Sequence, residues 1–317
     1  MCETLPEELL HQIMAMCHFI DYEAFAHRSP EQLFAHRKET ARLLLVCQRW
    51  RRVATPLKYE MAIVTSEAEA SVLATILSRG RVGSYVKKLR IEGGFGRALR
   101  TILSKVPNLL YIFISLDISS EAKVAGLCAG LKLVNPQYLV LRDRRVLGNQ
   151  TVRSVVDTLI TCMKTLWTNV ISYDHPYDEW VWLGQEFDNR QYCARTQRAR
   201  DLARALVHIP KLQIVHVPRA YYTSEYDVVL KAVKNPSVQR IISWMPWQDG
   251  FIVPLDRYPR LRDIIYLPLP GPWLRPTYAA IGQGDPASLF PTTFGFCTQP
   301  HKLKRTWSDR WSGDRWY

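Results

Sequence analysis

A chain of 317 residues, 47% of them hydrophobic, holds enough apolar material for a real core, arranged as one large domain or as a small domain followed by a larger one. The formal charge of +13 keeps nucleic acid among the partners to consider. The acidic start without a basic leader argues against a secretory signal, and no apolar run approaches the ~18 residues of a membrane span. Seven cysteines at positions 2, 17, 47, 128, 162, 193 and 297 are odd in number and never spaced Cys-x-x-Cys. That pattern speaks against a disulfide framework and a structural zinc site. The expectation is a reduced intracellular protein, cytoplasmic or nuclear, with no metal and no cofactor.

Along the chain, Thr4, Leu5, Pro6 and Glu7 form a capping-box pattern that predicts a helix start, with Pro6 where a missing N–H costs nothing. Leu9, Leu10, Ile13, Met14, Cys17 and Ile20 then recur at helical spacing. A second helix is predicted over Thr40 to Val53, where Leu43, Val46, Cys47 and Trp50 share a face that Leu44 and Leu45 widen. Two short helices cannot bury both apolar faces alone. The run "LLLVCQRWRR" therefore needs a cover, with Arg49, Arg51 and Arg52 at its rim.

These residues also carry a resemblance. Leu5-Pro6-x-Glu8-Leu9-Leu10-x-x-Ile13, followed by Leu45-Val46-Cys47-x-Arg49-Trp50-Arg51, resembles an F-box. The resemblance implies a three-helix module within residues 1–60 that docks onto the small adaptor subunit of a cullin–RING ubiquitin ligase and, through it, a cullin. It assigns the contact to Leu5, Pro6, Leu9, Leu10, Ile13, Leu45, Val46, Cys47 and Trp50. The sequence departs from the family at residues 21 to 40, which read as an insertion between the two halves.

Beyond residue 60 a repeat emerges. Pro107-Asn-Leu109-x-x-Ile112-x-Ile114 recurs at Pro136 with Tyr138 and Leu141, at Pro210 with Leu212, Val215 and Val217, at Pro236 with Val238 and Ile241, and at Pro259 with Leu261 and Ile264. Degenerate copies lie at Leu89-x-Ile91 and at Leu166 with Val170 and Ile171. The aligned positions 89, 109, 138, 166, 212, 238 and 261 are separated, with one exception, by steps near the ~20–29 residues of leucine-rich repeats. Each Pro-x-Leu follows a helical pattern, and proline stops a helix before a strand begins. The predicted fold is thus α/β: helix, Pro turn and strand stacked over 61–267 into a solenoid, with parallel strands on one side and helices on the other. It lacks the regular Asn of strict repeats and resembles the divergent leucine-rich-like domains that follow an F-box in many fungal proteins.

The long step holds an apparent insertion near residues 172–198. Its acidic, aromatic half includes Asp178, Trp180 and Trp182, and its basic half includes Arg195 and Arg198. Insertions in repeat arrays map to one face, often the binding face, so these five residues are the candidates for contact with a protein substrate. Residues 268–317 are rich in Pro, Gly, Trp and basic groups, without a period. Their interleaved Trp and Arg, with the arginines near 195, supply the alternative of nucleic-acid binding.

Catalytic patterns are weak. "IEGGFGRALR" places Gly93, Gly94 and Gly96 between strand and helix, but Leu99 stands where a dinucleotide turn needs its third glycine, and no Gly-Lys-Ser/Thr follows. A Gly-rich turn between repeats is expected instead. There is no Gly-x-Ser-x-Gly elbow, and His175 lacks a helical histidine partner. A non-enzymatic substrate receptor is the expected function.

Overall fold

The computed structural model describes residues 5–27, 29–143, 148–175, 189–217, 223–243 and 259–266. The chain is α/β. Four helices come first: α1 (Glu7–His18), α2 (Tyr22–His27), α3 (Pro30–Ala41) and α4 (Gln48–Glu60). Then β1 (Met61–Val64), α5 (Glu67–Arg79), β2 (Lys88–Ile91), α6 (Gly96–Ser104), β3 (Tyr111–Ser115), α7 (Ala125–Leu131), β4 (Tyr138–Arg142) and α8 (Gln150–Thr165) alternate. They are followed by β5 (Ser172–Asp174), α9 (Asn189–Leu206), β6 (Ile214–Val217), α10 (Thr223–Ala232), β7 (Arg240–Ser243), α11 (Pro259–Ile264) and β8 (Ile265–Tyr266). The eight strands form one sheet whose spatial order is the chain order, and every neighbouring pair is parallel. This order has no reversal point, the place where doubly wound sheets bind their ligands.

Several local expectations change. α1 starts at Glu7 with Pro6 as N-cap, and Glu7 pairs with Arg49 and Arg52 of α4 rather than closing a capping box; Thr4 lies outside the described residues. The helix predicted over Thr40 to Val53 is broken. α3 ends at Ala41, a 3-10 turn covers Arg42–Leu45, and Cys47 is extended and caps α4, its sulfur accepting from the Trp50 amide at 3.5 Å. The presumed insertion at 21 to 40 folds as α2 and α3, the latter opened by a Ser29/Gln32 capping box. β1 and α5 precede the first recognised repeat. At the last repeat, Pro259, Leu261 and Ile264 belong to α11 rather than a strand, because Pro is well tolerated at a first helical turn. Ser172–Asp174 pairs with β4 and β6, so the stretch 172–198 begins inside the sheet and ends inside α9.

Alternation along the strands decides what each face meets. Ala62, Val64, Leu89, Ile91, Ile112, Ile114, Leu139, Leu141, Tyr173, Val215, Val217 and Ile241 share one large core with the inward sides of α5 to α10. Successive helices pack on one another. α6 and α7 approach closely: a Cβ at Gly126 would stand 1.9 Å from the Gly96 carbonyl oxygen. The Gly96 amide donates to the Lys123 carbonyl at 2.9 Å, and its φ of 61° is one that L side chains rarely adopt. The glycine turn therefore joins one βα unit to the next.

The turns before the strands are tied across units by asparagines. Asn235 is buried and its amide donates to the carbonyls of Leu206 and Ile209, both at 2.8 Å. Asn135 bonds Thr168 and accepts from the Asn169 amide, and Asn108 donates to the Ser84 carbonyl. Asparagines beside Pro107, Pro136 and Pro236 thus tie neighbouring units together, each through different partners.

Candidate functional site

α1 and α4 share a small core of their own. Leu10 and Met14 of α1 bury against Val53 and Ala54 of α4, and Leu5, Leu44, Trp50 and Leu57 pack around them half-buried. Arg49 donates to the Leu5 carbonyl, which fixes the start of α1 over α4. With helical spacing, residues one step round from Leu10 and Met14 must face outward. Leu9 is 46% exposed, Ile13 50%, Leu45 83% and Val46 54%. Pro6, Met16 and Cys47 are exposed as well. Leu45 and Val46 are outside because the chain breaks between the 3-10 turn and α4, which turns two apolar residues away from any helix stripe.

Of the nine residues assigned to adaptor contact, Pro6, Leu9, Ile13, Leu45, Val46 and Cys47 therefore lie on the surface of α1 and of the break before α4, both of which pack on α4. Leu5 and Trp50 are half-buried at the edge of the core. Leu10, 2% exposed, belongs to the internal core and is removed from the contact set.

The substrate candidates fare differently. Asp178, Trp180, Trp182 and the Arg195 side chain lie outside the described residues, as does the tail 268–317. Arg198 is not a free surface cation: it pairs with Asp143 at 3.0 Å, the two side chains being 12% and 9% exposed. In the same basic helix Arg204 pairs with Asp201 at 3.0 Å.

A second cluster, not singled out by the sequence reading, lies on the sheet face opposite the helices. The register places Ile63, Arg90, Phe113, Val140, Asp174 and His216 in one lateral row, and Lys88, Tyr111, Tyr138 and Ser172 in the next. Tyr111 and Tyr138 stack at 4.1 Å. α2 lies on this face. Phe25 meets Phe113 and Tyr111 edge-on, and the Tyr22 hydroxyl bonds Asp174 at 3.2 Å. Burial pushes the Asp174 carboxyl up to about 7, against the opposing pull of the Tyr22 hydroxyl and the Arg142 charge. Burial likewise lowers the Lys88 ammonium and raises the Tyr111 phenol to about 12, the latter helped by Tyr138. The signal was present in alternation such as "KLRI" and "YLVLR", where charge replaces an apolar residue on one face only.

Among the described residues no group of three or more His, Cys, Asp and Glu is placed to hold a metal ion, and no helix is long and apolar enough to cross a membrane. No family model matches the chain, and no curated protein matches it significantly.

Proposed function

We propose that this chain is a substrate receptor of a cullin–RING ubiquitin ligase. Residues 1–60 act as an F-box-like module for the small adaptor subunit, and the βα array of 61–267 acts as an irregular leucine-rich-repeat-like solenoid that presents a target protein. One observation carries the reading. The apolar residues at the motif positions Leu9, Ile13, Leu45 and Val46 face solvent, while their neighbours Leu10 and Met14 already complete the internal core. Large apolar side chains left outside a finished core are what a docking surface offers. In this reading the chain performs no chemistry; it holds a target while other subunits transfer ubiquitin.

Calorimetric titration of the full chain with the purified adaptor subunit is the direct test. We expect saturable one-to-one binding with a dissociation constant below about 1 μM, equivalent to more than ~8 kcal/mol. A folded full-length chain that produces no heat and no co-elution rejects the proposal.

A further inference from the structure

We propose that the sheet face opposite the helices is a peptide-binding surface, and that residues 20–26 are its occupant in cis, standing in for a segment of another protein with the same chemistry. That chemistry is two aromatic side chains three residues apart on one helical turn that ends in open backbone carbonyls.

The first ground is the mismatch between the two sheet faces. The helix-covered face is lined mainly by apolar and aromatic residues, with the Tyr173–His175 and Asp143–Arg198 contacts at its strand ends. The other carries Lys88, Arg90, Ser115, Arg142, Asp174 and His216 at alternate strand positions, the pattern of a sheet face built to meet water. Most of these groups are nonetheless buried, and burying charge costs more than burying apolar residues of similar size. On this face Lys88, Arg90, Arg142, Asp174 and His216 all contact residues 20–26.

The second ground is how the segment is held. Lys88 donates to the Ile20 carbonyl at 2.6 Å, Arg90 to the Phe25 carbonyl at 2.7 Å and Arg142 to the Ala26 carbonyl at 3.2 Å. The last carbonyls of a helix have no partners within it, and cations there are favourable. Arg90 and Arg142 thus read the end of a helical turn, while Tyr22 sits against Tyr111, Tyr138 and His216 and reaches Asp174. Backbone recognition of this kind accepts any segment with the same end and the same two rings.

The third ground is independence. Ile20, Ala24, Phe25, Ala26 and Leu33 form with this face a cluster separate from both the large core and the α1–α4 core. A helix of six residues is not stable alone, so α2 can leave only by local unfolding, which neither other core must follow. The inference does not depend on adaptor docking.

Two measurements on the full-length chain test it. In native-state hydrogen exchange, the amides of Ala24, Phe25 and Ala26 are expected to exchange at least ~100-fold faster than those of Ile112, Ile114, Leu139 and Leu141. Equal protection makes α2 a fixed part of the fold and overturns the proposal. In the second, a fluorescent peptide of residues 18–30 is titrated onto the wild-type chain and onto a Tyr22→Ala/Phe25→Ala variant. Removing the cis competitor should tighten binding about tenfold or more, and adding Arg142→Ala should abolish it. A folded double variant that ignores the peptide overturns the proposal. If that variant does not fold, the exchange result decides.

Discussion

Leu9→Asp, Ile13→Asp and Leu45→Asp should each weaken adaptor binding by roughly ten- to hundredfold, since burying a large apolar side chain is worth ~1.5–3 kcal/mol and a charge cannot replace it. The same substitutions should leave the thermal unfolding transition nearly unchanged, because the three side chains already face water. Leu10→Asp behaves oppositely. It places a charge inside the small core of Leu10, Met14, Val53 and Ala54 and should unpack α1 from α4. Separate calorimetric and thermal measurements on all four variants therefore distinguish a docking face from an internal one. Wild-type affinity in Leu9→Asp and Leu45→Asp together would refute the assignment.

Stability should fall as pH rises from about 4 to about 7, and Asp174→Asn should remove most of that slope. The Asp174 carboxyl has an ordinary value of 3.8 and is raised by burial to about 7 in the folded chain. Its protonated form is therefore favoured in the folded state. The stabilisation is fully present below the unfolded value and is lost as pH rises through the folded one. A shift of that size corresponds to a few kcal/mol, on the order of 4 at most, at 1.36 kcal/mol per unit. Chemical denaturation at pH 4.5, 6 and 7.5 reads it directly, with the Asn variant expected to be more stable than wild type at pH 7.5. A wild-type chain whose stability is flat across this range would mean that Asp174 stays ionised, held by Arg142 and Tyr22.

The alternation of helices and parallel strands was legible in the sequence because each turn leaves a local mark. Proline followed by an apolar residue stops a helix and starts a strand, and Ile112, Ile114, Leu141, Val215, Val217 and Ile241 all lie in strands as their spacing implied. β1 was missed because it follows α4 with no turn between them, so no proline announces it. The α3–α4 break was hidden for a different reason. "LLLVCQRW" has continuous helical hydrophobicity, and the 3-10 turn of Arg42–Leu45 and the extended backbone of Cys47, capping Trp50, interrupt it.

The face beneath α2 was the largest omission. Its residues come from six strands, β1 to β6, and from a segment distant in sequence, and no local period connects Tyr22 with Asp174 or Phe25 with Arg90. Residues 21 to 40 looked like an insertion because they interrupt a family pattern. Their role is set by what they cover: Met61, Ile63, Phe113 and Val140. The polar alternation in "KLRI", "YLVLR" and "SYD" was the available signal, and it indicates a face suited to water rather than the identity of its cover.

Cys47 offers a reporter that needs no substitution. It lies beside Val46 on the exposed break, whereas Cys162 is buried and its thiol is pushed up to about 11, which makes it a slow internal reference. Residue-resolved alkylation of the full chain should be followed by mass spectrometry with and without saturating adaptor. Adaptor docking on α1 and the break before α4 predicts that Cys47 modification slows by at least about tenfold, while Cys162 is unaffected. Unchanged Cys47 reactivity in the presence of bound adaptor would contradict the docking face proposed here.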